Sequence, residues 1–225
     1  MEREDELEEY LRAAPVIYER PLPGGGGHAE KKILWLRGGV AVAAKPGIDA
    51  NYVAQAQCEV AAWLLAAELD MTRLVPVTVM RKIPTTAGET DGSAQVLWAQ
   101  FKTALDLGLQ PSQCADSVGW DIAVFDVLTA NTDRHNANWG VIGSLPDAVL
   151  VDHGHCFLKP PRTTSPFYLE RQGQPIPADL LQRLQTFITN AGNTRLSEAL
   201  DSAVVQQVID RAQHLVQGGG LLAAP

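Results

Sequence analysis

Three cysteines, Cys58, Cys114 and Cys156, are too few and too odd in number for a disulfide framework, and none stands in the CxxC spacing of a thiolate zinc site. Their scarcity points to a reducing compartment, and a cytoplasmic setting is expected. Charge is sparse as well: Asp, Glu, Lys and Arg together make up 20% of the chain, and the acids exceed the bases to give a net charge of -8. That excess argues against broad binding to nucleic acid or to an anionic membrane surface. No apolar run approaches the roughly 18 residues of a spanning helix. The opening MEREDELEEY is acidic rather than basic and then apolar, so neither a secretory leader nor an integral membrane anchor is expected. No internal repeat is visible.

What the chain does have is apolar content, 46% over 225 residues, enough to bury a full core in one unit of two lobes. The polar side chains with a plausible chemical task concentrate between Leu128 and Phe157, in LTANTDRHNANWGVIGSLPDAVLVDHGHCF. Asp133 and Asn138 lie five residues apart on a polar loop. Two short apolar runs, Trp139–Ile142 and Ala148–Val151, read as a hairpin that returns Asp152 to the side of that loop. Two carboxylates and an amide oxygen are hard ligands of the kind Mg2+ prefers, with its other positions left to water and substrate phosphates. Taken alone, Asp133 reads equally as a turn residue that bonds its own backbone. His135 is either a general base or a residue that orders the loop. His153 and His155 could with His135 suggest a zinc cluster, because H-x-H on a strand points both rings to one face, but the glycine between them makes this the weaker reading. Arg134 reads as a structural ion-pair partner.

Upstream, a helix is expected over Glu2–Ala14 and strands over Ile33–Leu36 and Gly39–Lys45. Four glycines, Gly24 to Gly27, precede the first of these strands and read either as a flexible linker or as a turn whose backbone N–H groups approach a polyphosphate. Lys45 ends its strand, either as a solvated terminus or held on a rigid element. Val53–Leu69 is a strong helix on which Glu59 flanks the apolar stripe, within reach of the strand lysine. Two further strands, Val75–Met80 and Ala94–Phe101, are expected around a polar turn-rich segment from Pro84 to Ser93. Ser112–Thr129 reads as a helix with Ser112 as N-cap, and Ala178–Ala191 and Ser197–Gln217 read as the last two helices. The pattern is α+β, with a β-rich lobe over residues 1–101 that carries one main helix and a mostly helical lobe over 102–225.

DRHNAN followed by VDHGHCF resembles the catalytic and metal loops of the phosphatidylinositol 3- and 4-kinase superfamily, whose members carry DRHxxN and then DFGH. NTDRHNANW with DHGHCF is most similar to the type II phosphatidylinositol 4-kinases and their bacterial relatives, and a weaker likeness extends to the HipA-type kinases. His153 departs from the pattern by standing where Phe is usual. The AxKP of Lys45 and the EVAAWLLAAEL of the helix resemble the same family. The resemblance implies a small protein-kinase-like fold and a reaction that uses ATP and Mg2+. It implies Asp133 and His135 at the acceptor hydroxyl, Asn138 and Asp152 on the metal, and Gly25, Gly26, Gly27, Lys45 and Glu59 at the phosphates. By the same analogy the backbone of Trp98, Ala99 and Gln100 lies against the adenine. The partners implied are ATP and a hydroxyl-bearing protein or small molecule. A phosphoinositide acceptor and an inactive nucleotide-binding regulator are the alternatives. KPPRTTSPF takes the activation-segment position and offers Lys159 and Arg162 as its basic residues. As an exposed ion pair, Lys45 with Glu59 would be worth roughly 0–1 kcal/mol.

Overall fold

Strands in the first half of the chain are short apolar runs cut by glycine and proline, and in the computed structural model they pair into one antiparallel sheet. The structure describes residues 2–23, 31–143, 145, 147–157 and 164–221. Helix α1 (Glu2–Ala13) leads into β1 (Val16–Pro21), β2 (Lys32–Leu36) and β3 (Ala41–Pro46). Helix α2 (Ala50–Glu68) follows, and then β4 (Thr78–Thr85) and β5 (Gly88–Val96), giving the sheet order β1-β2-β3-β5-β4. Asp49 caps α2 by accepting from the Asn51 and Tyr52 amides at 2.9 and 3.0 Å, so the helix begins a turn earlier than its apolar stripe indicates.

Two expectations for this lobe need correction. Edge strand β1 was not foreseen, because all but one of its residues are exposed and it carries no buried alternation. The segment Pro84–Ser93, expected as a turn-rich connection, is mostly strand: β4 and β5 form a tight hairpin turning at Thr85–Gly88. Glycine misled here. Gly92 faces Pro46 across the ladder, and a Cβ on it would lie 2.4 Å from the Lys45 carbonyl oxygen, so this glycine marks a close approach of β5 to β3 rather than a turn.

The second lobe begins with β6 (Phe101–Thr103), which pairs with β7 (Trp139–Ile142) and β8 (Val149–Leu150) in a small three-stranded sheet. The expected hairpin is present, with Trp139 opposite Leu150. Around it lie α3 (Ala104–Leu107), α4 (Asp116–Leu128), α5 (Pro166–Arg171), α6 (Ala178–Thr189) and α7 (Ser202–Gly218). Ser112 is not the cap of α4: it sits in a single 3-10 turn, Pro111–Gln113, and α4 starts after Ala115. Helix α5 takes up the end of KPPRTTSPF, and α7 starts at Ser202 because Arg195–Glu198 forms a separate 3-10 turn. Trp139 and Phe167 are fully buried and meet edge to face at 5.1 Å, anchoring the small sheet to α5. The result is a bilobal α+β fold, with a β-rich lobe and a mostly helical lobe, of protein-kinase-like architecture. No described helix is long and apolar enough to cross a membrane.

Candidate functional site

The loop that follows α4 is shaped by a buried ion pair. Arg134 and Asp126 have no solvent-exposed side-chain surface and share bonds of 3.1–3.3 Å. The same guanidinium donates to the carbonyls of Asn138 and Val151, and the Val151 amide returns a bond to the Asn138 carbonyl at 3.0 Å. One planar fork therefore fixes the polar loop and the segment after β8 together, which accounts for arginine at this position.

On that frame Asn138 Nδ2 donates to the carbonyl and to the carboxylate of Asp133, at 2.8 and 3.2 Å. Both amide protons are thereby used, and Asn138 Oδ1 is left as an acceptor. His135 is exposed; its Nδ1 accepts from the Ala137 amide at 3.2 Å, and its Nε2 lies 3.6 Å from Asp133 Oδ1. With Nδ1 accepting, the ring proton sits on Nε2 and faces the Asp133 carboxylate.

Asp152 follows β8 with φ of 58°, a left-handed conformation that a non-glycine residue adopts at a cost and that turns its carboxylate toward the other lobe. There Lys45 Nζ donates to Asp152 Oδ1 at 2.8 Å and to Glu59 Oε1, while Lys31 Nζ lies 3.5 Å from Asp152 Oδ2. Burial alone would lower the Lys45 pKa, but the Glu59 and Asp152 carboxylates outweigh it and hold the ammonium above its ordinary value. Burial likewise works to raise both acids, and Lys45 instead holds Glu59 and Asp152 below the usual carboxylate range.

A cavity of about 220 Å³ opens between the lobes, lined by the predicted residues Lys45, Asp133 and Asp152. It is also lined by Lys31, Tyr52, Gln55 and His155, which the sequence did not single out as site residues apart from His155 in its metal reading. Tyr52, Gln55 and Glu59 follow the i, i+3, i+7 spacing of one helical face, so their shared orientation could have been read from the Asp49 cap onward. Lys31 carries no comparable signal. Trp98 to Gln100 form the turn between β5 and β6 and do not line this cavity. Gly25, Gly26, Gly27, Lys159 and Arg162 lie outside the described residues.

The histidines do not converge, because residues 152–157 form a turn and not a strand. His155 is exposed and lines the cavity, whereas His153 is fully buried, edge-on to Phe125 at 5.8 Å, with Nδ1 3.7 Å from Glu59 Oε2. Burial lowers the His153 pKa despite that carboxylate, so the ring is neutral and packs where Phe is usual in the resembling family. The thiols are removed from chemistry as well: burial pushes Cys58 up to about 12, Cys114 up to about 11 and Cys156 well above its ordinary value.

Among the described residues no three His, Cys, Asp or Glu side chains gather into a metal cage. Asp152 and the unused Oδ1 of Asn138 are hard oxygen donors of the kind that fit Mg2+, although Lys45 and Lys31 engage both Asp152 oxygens here and Asn138 does not line the cavity.

Residues 44–215 match the family described as phosphatidylinositol 3- and 4-kinase. Among solved structures, that of hydra Fam20 with sugar shares 14% identity and a TM-score of 0.62, covering 95% of this chain and 86% of that one. The Helicobacter pylori proinflammatory kinase CtkA shares 13% identity and a TM-score of 0.51, covering 94% of this chain and 95% of that one. At such identities the likeness is one of fold. Among curated proteins no relative matches. The family match spans well over half of the sequence and takes in both lobes, and the chain belongs to the phosphatidylinositol 3- and 4-kinase family.

Proposed function

We propose that this protein is an ATP- and Mg2+-dependent kinase that transfers the γ-phosphoryl group to a hydroxyl of a protein or soluble small molecule. The observation that carries the reading is the convergence of three elements on one ammonium: Lys45 from β3 meets Glu59 from α2 and Asp152 from the loop after β8, beside a cavity that Asp133 also lines. The expected lobes, residues 1–101 and 102–225, are then the two that close on the nucleotide, with Phe101 belonging to β6 and so to the second lobe.

In this reading Lys45 and Lys31 bind phosphate oxygens, and Glu59 keeps Lys45 pointed at them. Asn138 and Asp152 would hold Mg2+, which would supply neutralisation of the phosphate charge. Asp133 orients the acceptor hydroxyl and takes its proton as the new O–P bond forms and the bond from the γ-phosphorus to the bridging oxygen breaks, releasing ADP. His135, with its Nε2 proton toward Asp133, supports that carboxylate rather than acting as the base. The backbone of Trp98, Ala99 and Gln100 serves the adenine, and Gly25, Gly26 and Gly27 cover the phosphates. The loop wording favours a relationship to the type II lipid kinases. The acidic net charge and the two cations of the activation segment favour a soluble acceptor over a phosphoinositide.

A second reading, a nucleotide-binding regulator without turnover, draws support from the engagement of both Asp152 oxygens by lysines. Purified protein given labelled ATP with and without Mg2+, a broad extract of soluble proteins and metabolites, and phosphoinositide vesicles in a separate arm separates the readings. Metal-dependent label transfer that Asp152→Asn lowers at least tenfold is the expected result, since loss of a metal carboxylate removes orders of magnitude of rate. A melting temperature raised by ATP with no consumption in any arm makes the regulator the correct reading, and transfer confined to the vesicles makes the acceptor a lipid.

A further inference from the structure

Helix α1 is tied to three parts of the molecule at once. Arg81 on β4 donates to the carbonyls of Leu11 and Ala14 at 2.8 and 2.9 Å, fixing the end of α1 to the edge of the large sheet. One turn back, the Glu8 carboxylate is almost fully buried and accepts from the Trp63 indole on α2 at 2.8 Å. Arg195, in the 3-10 turn between α6 and α7, donates to the same carboxylate at 2.8 and 3.2 Å, and Arg12 completes the set at 2.8 Å. Burial would raise the Glu8 pKa, but Arg195 and Trp63 hold it below the usual range, so these donors face a carboxylate.

The position of Trp63 on α2 gives these ties their consequence. Trp63 follows Glu59 by four residues, so the two side chains lie about 40° apart on one helical face. The far end of α2 is held by the same 3-10 turn, since Glu68 accepts from Thr194 Oγ1 and from the Arg195 amide. A helix held at Trp63 and at Glu68 has a fixed rotation, and that rotation decides where Glu59 stands against Lys45.

We propose that Glu8 is a positioning residue for phosphoryl transfer: by holding the Trp63 indole it sets the rotation of α2, and through Glu59 it aims Lys45 at the phosphates. This rests on the kinase reading above. Helix α1 is then a brace for the active arrangement, lying outside the cavity and touching neither nucleotide nor acceptor.

The test compares full-length wild type with Trp63→Phe, which keeps the buried ring and removes the bond to Glu8, and with Glu8→Gln, which keeps an acceptor and removes the charge facing Arg195. Leu215→Ala in α7 serves as a control for general destabilisation. ATP turnover per folded molecule is measured well below each melting temperature, together with amide exchange over residues 50–60. A shift of about 1 Å in a positioning group costs up to about a hundredfold in rate, so kcat in Trp63→Phe and Glu8→Gln should fall about tenfold, more than KM for ATP rises. Exchange over 50–60 should quicken in these two variants and stay unchanged in the control. A kcat within twofold of wild type, or an equal loss in Leu215→Ala, overturns the proposal. If the wild type consumes no ATP, the kinase reading fails on its own account and exchange decides the brace: faster exchange in Trp63→Phe upholds it, and unchanged exchange refutes it.

Discussion

Replacing Lys45 by methionine should destabilise the fold as well as impair nucleotide binding. As an exposed pair, Lys45 with Glu59 would contribute roughly 0–1 kcal/mol. In the structure, however, the Glu59 side chain is 2% exposed and Lys45 is 23% exposed. Breaking a fully buried pair costs about 3–5 kcal/mol, because the remaining charge is left without compensation; partial exposure of the lysine brings the expected cost to about 2–4 kcal/mol. For a chain of this size that is a drop of about 4–16 °C in melting temperature. The double variant Lys45→Met/Glu59→Gln removes the orphaned charge and should recover to within about 1 kcal/mol of wild type. The pH dependence has a definite sign. In the wild type the Glu59 pKa is depressed below its ordinary 4.5, so its stabilising contribution is present above that value and is lost as pH falls through the folded pKa. In Lys45→Met, burial is no longer opposed by the ammonium and raises the Glu59 pKa, so the penalty is largest at pH 7 and shrinks toward pH 5 as the acid takes up a proton. Urea and thermal melts of the three proteins at both pH values check this. A Lys45→Met melting temperature within about 2 °C of wild type, or a double variant less stable than the single one, would refute the reasoning.

Arg134→Lys should cost about 3 kcal/mol in urea melts, since one ammonium cannot serve Asp126 and two carbonyls in the planar arrangement the guanidinium fills; a loss under about 1 kcal/mol would show that the fork is dispensable. Asp133→Asn should lower phosphoryl transfer at least a hundredfold and His135→Ala only about tenfold, as expected for a base and its support; the reverse ranking in single-turnover assays would make His135 the base.

Legibility in the sequence followed the number of constraints acting on each residue. The approach of the Asp133–Asn138 loop and the Asp152 segment was readable because a loop spacing, a hairpin and a returning carboxylate had to agree, and the structure brings these segments together through Arg134. Lys45 and Glu59 were readable because strand end and helix face fixed their directions, and the two side chains meet. Lys31 stayed hidden: it precedes β2, has no periodic neighbours, and reaches Asp152 only through a contact 121 residues away in sequence. Glu8 looked like one more acid in an acidic helix, and nothing local distinguishes it from Glu6 or Glu9. Burial distinguishes it, and burial depends on Trp63 and Arg195 arriving from elsewhere. The β4–β5 hairpin was misread for the opposite reason, a local signal that was strong but ambiguous, because glycine serves both turns and close strand contacts.

Two of the ion-pair systems of this molecule separate structure from chemistry by their balance. Arg134 and Asp126 are matched, fully buried and tied to backbone carbonyls, so they offer nothing to a ligand. Around Lys45 the balance is uneven: Glu59 and Asp152 meet Lys45, Lys31 lies against Asp152, and the Asp133 carboxylate lines the same cavity without a lysine of its own among the described residues. A polyphosphate entering this cavity would meet the Asp133 and Asp152 carboxylates as well as the two ammoniums. For ATP to enter under the proposed function, positive charge must come with it. A divalent cation would supply that charge, and Asp152 would be the carboxylate to hold it, exchanging its contacts with Lys45 and Lys31 for the metal. Under the proposed function, the carboxylates lining this cleft are a physical reason to expect turnover to depend on a divalent cation.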